Sequence, residues 1–221
     1  MTSHLEIQQS LLLKYPGLGV SEVVVSSVRI SKSNKELEAF KKSKQDEIRR
    51  KVPSLDAVKD LPIIRAYRDF YWKVGIDPTK TRPAGEALLR RILGGKDLPT
   101  INTLVDSYNI ASAETMISVA AFDLEKISRE KLLMRTGVKG ESFEGIGMQS
   151  PASLEGVEVV IEDTKEKKLI AVYPYRDAEE SKVSEDTKDV LFMMCGVPGV
   201  SKENLAAAQS IVIEYVSRFN R

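Results

Sequence analysis

The stretch INTLVDSYNI, residues 101–110, combines a helical apolar pattern with polar residues that a core helix would not be expected to carry. Its apolar residues recur with the spacing of one helix face: Ile101, Leu104, Val105 and Tyr108. Its polar residues form a second stripe about 120° round the same helix: Asn102, Asp106 and Asn109. The pattern predicts one helix that packs its apolar stripe on a core and carries a separate polar face.

Three interpretations of the polar stripe follow from its chemistry. Asn and Asp are ordinary surface residues, but they are poor helix formers, and Lys, Glu or Gln would suit a solvated face better. The same groups could instead form a buried hydrogen-bond network that fixes neighbouring loops, or the wall of a pocket. For Asp106, on a helix flanked by loops, the favoured role is to accept hydrogen bonds that tether a loop.

The composition limits the class of protein. Of 221 residues, 42% are hydrophobic and 29% charged, which is typical of soluble globular proteins, and no apolar run reaches the length of a membrane span. The single cysteine, Cys195, excludes an intramolecular disulfide and a thiolate zinc cluster, and the single histidine, His4, argues against a Ser-His-Asp or Cys-His apparatus. We therefore predict a cytoplasmic protein without metal, cofactor or membrane partner, in which Cys195 is buried.

The charge is unevenly distributed along the chain although the net charge is only +1. Residues 65–96 contain eight Lys or Arg against three acids, whereas residues 155–189 contain eleven acids against six bases. A balanced total argues against extensive wrapping of nucleic acid, and no DNA partner is expected, while a basic segment can present one face to phosphates. Solvated helices produce the same distribution, so charge alone leaves both interpretations open.

Helices are predicted mainly in the first half of the chain and short strands in the second. A helix is predicted over residues 5–15, a strand over 22–30, and a charged helix that a capping box opens at Ser33. Further helices are predicted after Pro62, after Pro83 and from Ser201, the last with Leu205, Ala208, Val212, Tyr215 and Phe219 inward. Strands are predicted in five runs: 118–124, 131–138, 157–162, 168–175 and 190–194. This order predicts an α+β fold with a mixed or antiparallel sheet packed with helices.

Residues 67–127 contain motifs that resemble a known family: Gly75-Ile76-Asp77-Pro78, Arg82-Pro83, Arg90-Arg91, Pro99, Asn102, Val105-Asp106, Asn109 and Phe122-Asp123. Gly140-Glu141 and the run 176–188 extend the match. The chain resembles the tRNA-binding and editing (B-three/four) domain of the phenylalanyl-tRNA synthetase beta subunit, and is closer still to free-standing relatives of that domain. Nothing in it resembles the aminoacylation domain or an ATP site. The resemblance implies one such domain over residues 1–221, helix-rich over 1–117, strand-rich over 118–200 and helical over 201–219.

The resemblance also implies a function. In the synthetase, this domain hydrolyses the ester between tRNA and a wrongly attached tyrosine, in a pocket between the polar helix and the sheet. For this chain it implies a hydrolase, not a synthetase, that clears mischarged aminoacyl-tRNA with a positioned water. The alternative is a non-catalytic module that binds RNA or a small amino-acid-like ligand in the same pocket.

Site residues follow from the same resemblance. It implies Glu141 and Asp123 as catalytic carboxylates, with Asn102 and Asn109 as amide donors to the developing oxyanion. Asp106 and Ala120 would also line the pocket. Arg82, Arg90 and Arg91 would contact tRNA. Arg90 and Arg91 lie near a helix C-terminus, where they would also stabilise the helix dipole without RNA. Bacterial synthetases commonly have a histidine two positions before the Phe of the Phe-Asp pair, where this chain has Ala120.

Overall fold

The computed structural model describes residues 4–52, 54–128 and 131–221. In this part of the chain the helices are α1 Gln9–Lys14, α2 Lys35–Lys51, α3 Pro62–Lys73, α4 Ala84–Leu93, α5 Thr103–Thr115 and α6 Lys202–Phe219, with a short 3-10 helix at Asp56–Asp60. The strands are β1 Leu5–Ile7, β2 Gly19–Val25, β3 Val119–Asp123, β4 Leu132–Thr136, β5 Ser142–Phe143, β6 Ala152–Ser153, β7 Val159–Asp163, β8 Lys168–Tyr173, β9 Arg176–Asp177 and β10 Val190–Gly196. The predicted α+β class is confirmed.

Two sheets form the centre of the molecule. The larger has the order β1-β4-β7-β8-β9, in which β1 and β4 are parallel and the other pairs antiparallel. The smaller has the order β2-β10-β3 and is antiparallel throughout, and β5 pairs with β6. Every residue of the central strand β10 is buried, which explains its unbroken apolar sequence VLFMMCG.

Helix α6 packs against α5 and against strands β2 and β10. Ser201 caps its N-terminus in a reciprocal capping box with Asn204. The five residues predicted to face inward are all buried, which confirms that prediction: Leu205, Ala208, Val212, Tyr215 and Phe219. The apolar periodicity of α6 predicted its buried residues correctly because one face of the helix makes the contact with the core.

Three local predictions were wrong because tertiary pairing and loop geometry outweighed the local pattern. The predicted helix over residues 5–15 is a strand, β1, followed by the short α1, since β4 offers β1 a parallel partner. The predicted strand over 22–30 ends at Val25, before Ser27 takes a positive φ of 59°. Helix α2 is capped by Asn34, whose Oδ1 accepts from the amides of Glu36 and Leu37, and not by Ser33.

The helix predicted from INTLVDSYNI is α5, and it begins later than the polar stripe does. Asn102 is its N-cap, with Oδ1 accepting from the Val105 amide at 2.9 Å. Leu104 is fully buried, whereas Val105 and Tyr108 are partly buried. Ile101 was predicted to face the core and is 52% exposed, because it precedes the cap and lies outside the helix.

Asp106 ties α5 to α2 and to the loop that precedes α5. Its carboxylate lies 2.9 Å from Lys41 Nζ and accepts from the Ile101 amide at 2.9 Å. Lys41, which is 2% exposed, also donates to the Pro99 carbonyl and the Thr100 hydroxyl. Burial raises the pKa of Asp106 even though Lys41 lies beside it. The loop-tethering interpretation of Asp106 is confirmed.

We expect Asp106→Ala to lower the free energy of unfolding by roughly 3 kcal/mol, because the buried Lys41 ammonium loses its buried carboxylate and keeps only the more exposed Glu38 as an ionic partner. Urea denaturation measures the change. The double variant Lys41→Met, Asp106→Leu should lose less than the sum of the two single variants, since it removes both charges. Strictly additive losses would mean that the two side chains do not act as a pair.

Candidate functional site

A cavity of about 80 Å³ lies between one edge of the smaller sheet and the last strands of the larger sheet. Ser118 and Ala120 line it from the start of β3, and Tyr173 and Asp177 line it from β8 and β9. Cys195 of β10 is buried on its inner wall, as predicted for this cysteine. The cavity therefore sits where the two sheets meet, and both sheets supply polar groups to it.

Asp177 is the acidic residue of this cavity. Its carboxylate accepts from the Ala121 amide of β3 at 3.3 Å. Burial raises the pKa of Asp177 to about 7, and the Ala121 hydrogen bond opposes this shift only partly. Two ionisable groups face it from other elements, the Tyr108 phenol of α5 and the Cys195 thiol of β10, and their pKa values are raised by burial and then by the charge of Asp177. Near neutral pH, Asp177 can both accept and release a proton.

Ser118 brings a second polar group to the cavity. It is only 3% exposed, and in the described residues its fully buried Oγ has no hydrogen bond of normal geometry, although the Tyr67 hydroxyl lies beside it. The nearby Tyr67 hydroxyl donates to the Cys195 carbonyl and accepts from the Ser118 amide at 3.2 Å, so it is already engaged by backbone groups. A buried hydroxyl without such a bond is unusual, and this one has almost no surface exposed to the cavity.

Glu141 lies in a different place, in a surface groove of about 550 Å³. Its carboxylate forms a bidentate pair with Arg135 at 2.6 and 2.9 Å and accepts from the Val138 amide at 2.6 Å. Arg135 also bonds Glu162 at 2.6 Å. The hydrogen bonds from Arg135 hold the pKa of Glu141 below its usual value. These contacts anchor the turn after β4, and the catalytic role of Glu141 stays a prediction.

The other predicted pocket residues serve local structure in the described chain. Asp123, at the end of β3, accepts from the Thr187 hydroxyl at 2.6 Å and from the Glu125 amide at 3.0 Å. Asn102 caps α5 and Asn109 is partly buried on the same helix. Of the predicted residues, Ala120 lines the cavity of Asp177; the others do not: Asn102, Asp106, Asn109, Asp123 and Glu141. Their predicted roles in catalysis or binding stay predictions.

Sequence analysis missed Asp177 and Ser118. Asp177 stands in YPYRDAEE, among many acids of the second half, and no local spacing separates it from solvated neighbours. The partial burial of Asp177 depends on the pairing of β9 with β8 and on the contact of β9 with β3. Both are contacts between segments that are distant in sequence. The fit of residues 176–188 to the family pattern indicated that this segment belongs to the domain, but it did not identify Asp177 within it.

The three predicted RNA-binding arginines differ in their surroundings. Arg90 Nε donates to Glu86 at 2.7 Å, and Arg90 Nη1 donates to the Leu55 carbonyl at 3.2 Å. Glu86 is fully buried and also pairs with Arg68 at 3.1 Å. Arg82 and Arg91 are exposed, with Arg91 donating to the Asp97 carbonyl. Arg90 therefore neutralises a buried acid, whereas Arg82 and Arg91 remain open to phosphates.

This architecture is that of an α+β domain built around two central sheets. Residues 66–221 match the family model of the B3/4 domain, and the chain belongs to this family. The predicted resemblance is thereby confirmed. No curated protein matches the chain.

The fold is similar to that of an N-terminal fragment of the phenylalanyl-tRNA synthetase beta-subunit from Pyrococcus horikoshii. The two structures align with a TM-score of 0.51 and 12% sequence identity, over 97% of this chain and 48% of that one. At this identity the similarity concerns the fold, and the chain spans about half the length of that fragment. In the described residues no helix is long and apolar enough to cross a membrane, and no cluster of three metal-ligating side chains occurs.

We expect Arg90→Ala to lower the free energy of unfolding by roughly 1–3 kcal/mol, because it removes one partner of the buried Glu86 carboxylate while Arg68 remains. Arg91→Ala, the adjacent exposed position of the same helix, is the matched control and should change stability by about 0.5 kcal/mol or less. Thermal or chemical denaturation compares the two variants. Equal losses would contradict the assignment of Arg90 to the Glu86 pair.

Proposed function

We propose that this domain binds the aminoacylated end of tRNA and hydrolyses the ester bond of mischarged aminoacyl-tRNA, with the cavity at Asp177 as its site. The observation that carries the proposal is a desolvated carboxylate facing a partly enclosed cavity in a B3/4 domain. The relation to a phenylalanyl-tRNA synthetase beta-subunit supports tRNA as the partner. No metal, cofactor or ATP is needed for this reaction.

The chemistry requires one base and one positioned water. Asp177, as the carboxylate, takes a proton from water while the water oxygen bonds to the carbonyl carbon of the ester. The tetrahedral adduct then collapses, the bond to the ribose oxygen breaks, and the protonated Asp177 returns its proton to that oxygen. The products are the free amino acid and uncharged tRNA. A carboxyl group with a pKa near the ambient pH is suited to both proton transfers.

Asp177 suits this role better than Glu141 for an electrostatic reason. The pKa of Glu141 is lowered by Arg135, so its carboxylate is a weak base, and its oxygens already accept hydrogen bonds. Asp177 is desolvated and accepts one long hydrogen bond from Ala121. Burial without a cationic partner strengthens the base, whereas a bidentate arginine weakens it.

We expect Asp177→Asn to slow deacylation of a mischarged tRNA by about 10²- to 10⁴-fold, since the amide keeps the shape but cannot accept the proton. Glu141→Gln, measured beside it, should retain most of the activity. The wild-type rate should rise with pH and level off above about pH 7, as Asp177 loses its proton, and the Asn variant should lack that inflection. The reverse ranking of the two variants would return the catalytic role to Glu141.

Protein stability provides the control for this comparison. The folded-state pKa of Asp177 is raised from 3.8 to about 7, so the folded state favours the protonated carboxyl, and that stabilisation is lost as pH rises from about 4 to 7. At pH 8 the neutral Asn avoids burying a charge, and the variant should melt at or above the wild-type temperature. A much lower melting temperature would attribute lost activity to unfolding.

A second candidate function is a non-catalytic module that holds RNA or an amino-acid-like ligand in the same cavity. The observation in its favour is Ala120, which lines the cavity at the position where bacterial synthetases commonly have a histidine. This alternative becomes the conclusion if wild-type protein leaves every mischarged tRNA intact while still binding tRNA.

For RNA binding, we expect the double variant Arg82→Glu, Arg91→Glu to weaken affinity for tRNA, because both side chains are exposed in the basic segment. Affinity should fall only shallowly with salt, with a logarithmic slope of about −2 if two phosphates are neutralised, and more shallowly still in the variant. Lys202→Glu, an exposed charge reversal on α6, is the control. Unchanged affinity in the double variant would place the RNA contact elsewhere.

A further inference from the structure

Trp72, the only tryptophan of the chain, lies on the surface in the last turn of α3. It is 57% exposed, although Tyr71 beside it is buried in the interior. A single exposed apolar residue is ordinary, but tryptophan is highly buried on average, because it offers the most apolar area to a partner. The surroundings of Trp72 therefore indicate what kind of partner the indole could take.

Hydrogen bonds place the end of α3 and the loop after it beside the cavity of Asp177. The Tyr71 hydroxyl donates to the carbonyl of Pro174, which lines the cavity from the turn between β8 and β9, at 3.4 Å. The loop from α3 to α4 then leads to Ala84, the first residue of α4. Ala84 is the exposed member of the residues that line the cavity, so the opening lies where this loop ends. A strand that lies on Trp72 can therefore follow the loop into the cavity.

The charges along this path favour an anionic partner. Lys73, next to Trp72, and Arg82, two residues before Ala84, are both exposed, and neither has an acidic partner among the residues that the structure describes. The acids nearest to them in sequence are each paired with another base: Asp69 with Arg65 at 3.1 Å, and Asp77 with Lys80 at 4.0 Å. An exposed indole between uncompensated cations is the combination that holds single-stranded nucleic acid, by stacking on a base and contacting its phosphates.

From this arrangement, and resting on the proposed function, we propose that Trp72, Lys73 and Arg82 form a surface that binds the single-stranded 3′ end of tRNA and leads it into the open side of the cavity. The Trp72 indole stacks on an unpaired base, and the two cations contact phosphates. Every base has a face that can stack, so the surface distinguishes single strands from duplexes and not one sequence from another. A base-paired segment is bound less well, because its bases already stack on one another.

The fluorescence of Trp72 tests the contact directly, because the chain has no other tryptophan. A single-stranded oligoadenylate of about 12 nucleotides should quench the emission of the wild-type protein to saturation, since the stacked base touches the indole. A blunt-ended RNA duplex of the same length should leave most of the emission. Absence of quenching by the single strand, or equal quenching by the duplex, would overturn the proposal.

Binding of a labelled oligoadenylate to variants separates the indole from the charges. Trp72→Ala should weaken the affinity by about 5- to 150-fold, the loss expected for one stacked base, whereas Trp72→Phe keeps a ring and should retain most of it. Ile101→Ala is the matched control, because Ile101 is 52% exposed but lies before α5, and it should bind like wild type. Lys73→Glu should weaken the affinity and make it less dependent on salt. Wild-type affinity in Trp72→Ala would reject the contact.

Deacylation of a mischarged tRNA distinguishes failure of this surface from failure of the proposed hydrolysis. Trp72→Ala should raise KM and leave kcat within about twofold, because the indole binds the RNA away from the reacting ester. If wild type cleaves the ester and Trp72→Ala has the same KM, the surface is rejected while the hydrolysis stands. If wild type cleaves no ester, the hydrolysis fails, and the oligoadenylate measurements alone decide whether the surface binds single strands.

Discussion

The hydroxyl of Tyr173 is the contact on which the arrangement of the two sheets depends. Tyr173 ends β8 of the larger sheet, and its proton is shared between the carbonyl oxygens of Gly19 and Gly196, on β2 and β10 of the smaller sheet. Gly196 is required there, because a Cβ would lie 2.8 Å from the Gly19 carbonyl oxygen and 2.7 Å from Leu205. The cavity lies beside this contact, where the Ala121 amide of β3 donates to the Asp177 carboxylate of β9.

The electrostatics of the cavity follow from this position between sheets. A carboxylate at the edge of two sheets loses hydration on both sides, and Asp177 has the Ala121 amide as its hydrogen-bond donor. By contrast, Asp106 and Glu141 sit beside Lys41 and Arg135, so their charges are compensated locally. These ion pairs organise loops, whereas in the described residues Asp177 has no such cationic partner. Because burial raises its pKa, ionisation of Asp177 lowers the stability of the folded state.

The parts of the fold that could be predicted from sequence are those that local periodicity determines. Helix α6, with its single apolar face, and β10, with its continuous apolar run, were recognisable because burial alone sets their patterns. The start of the chain was not, since β1 is a strand only because β4 lies beside it. The cavity was predicted only through Ala120. Asp177 and Ser118 could not be recognised, because their desolvation arises from elements that are distant in sequence and carry no periodic signal of their own.

Ala120 connects the departure from the synthetase pattern with the chemistry of this chain. A histidine at this position would place an imidazole ring against a cavity of about 80 Å³ and would fill most of it. With the methyl group of alanine that space stays open, and the carboxylate that lines it is Asp177, which accepts from the amide of the adjacent Ala121. Alanine at this position therefore leaves the cavity larger and without an imidazole, so that its acidic group is Asp177.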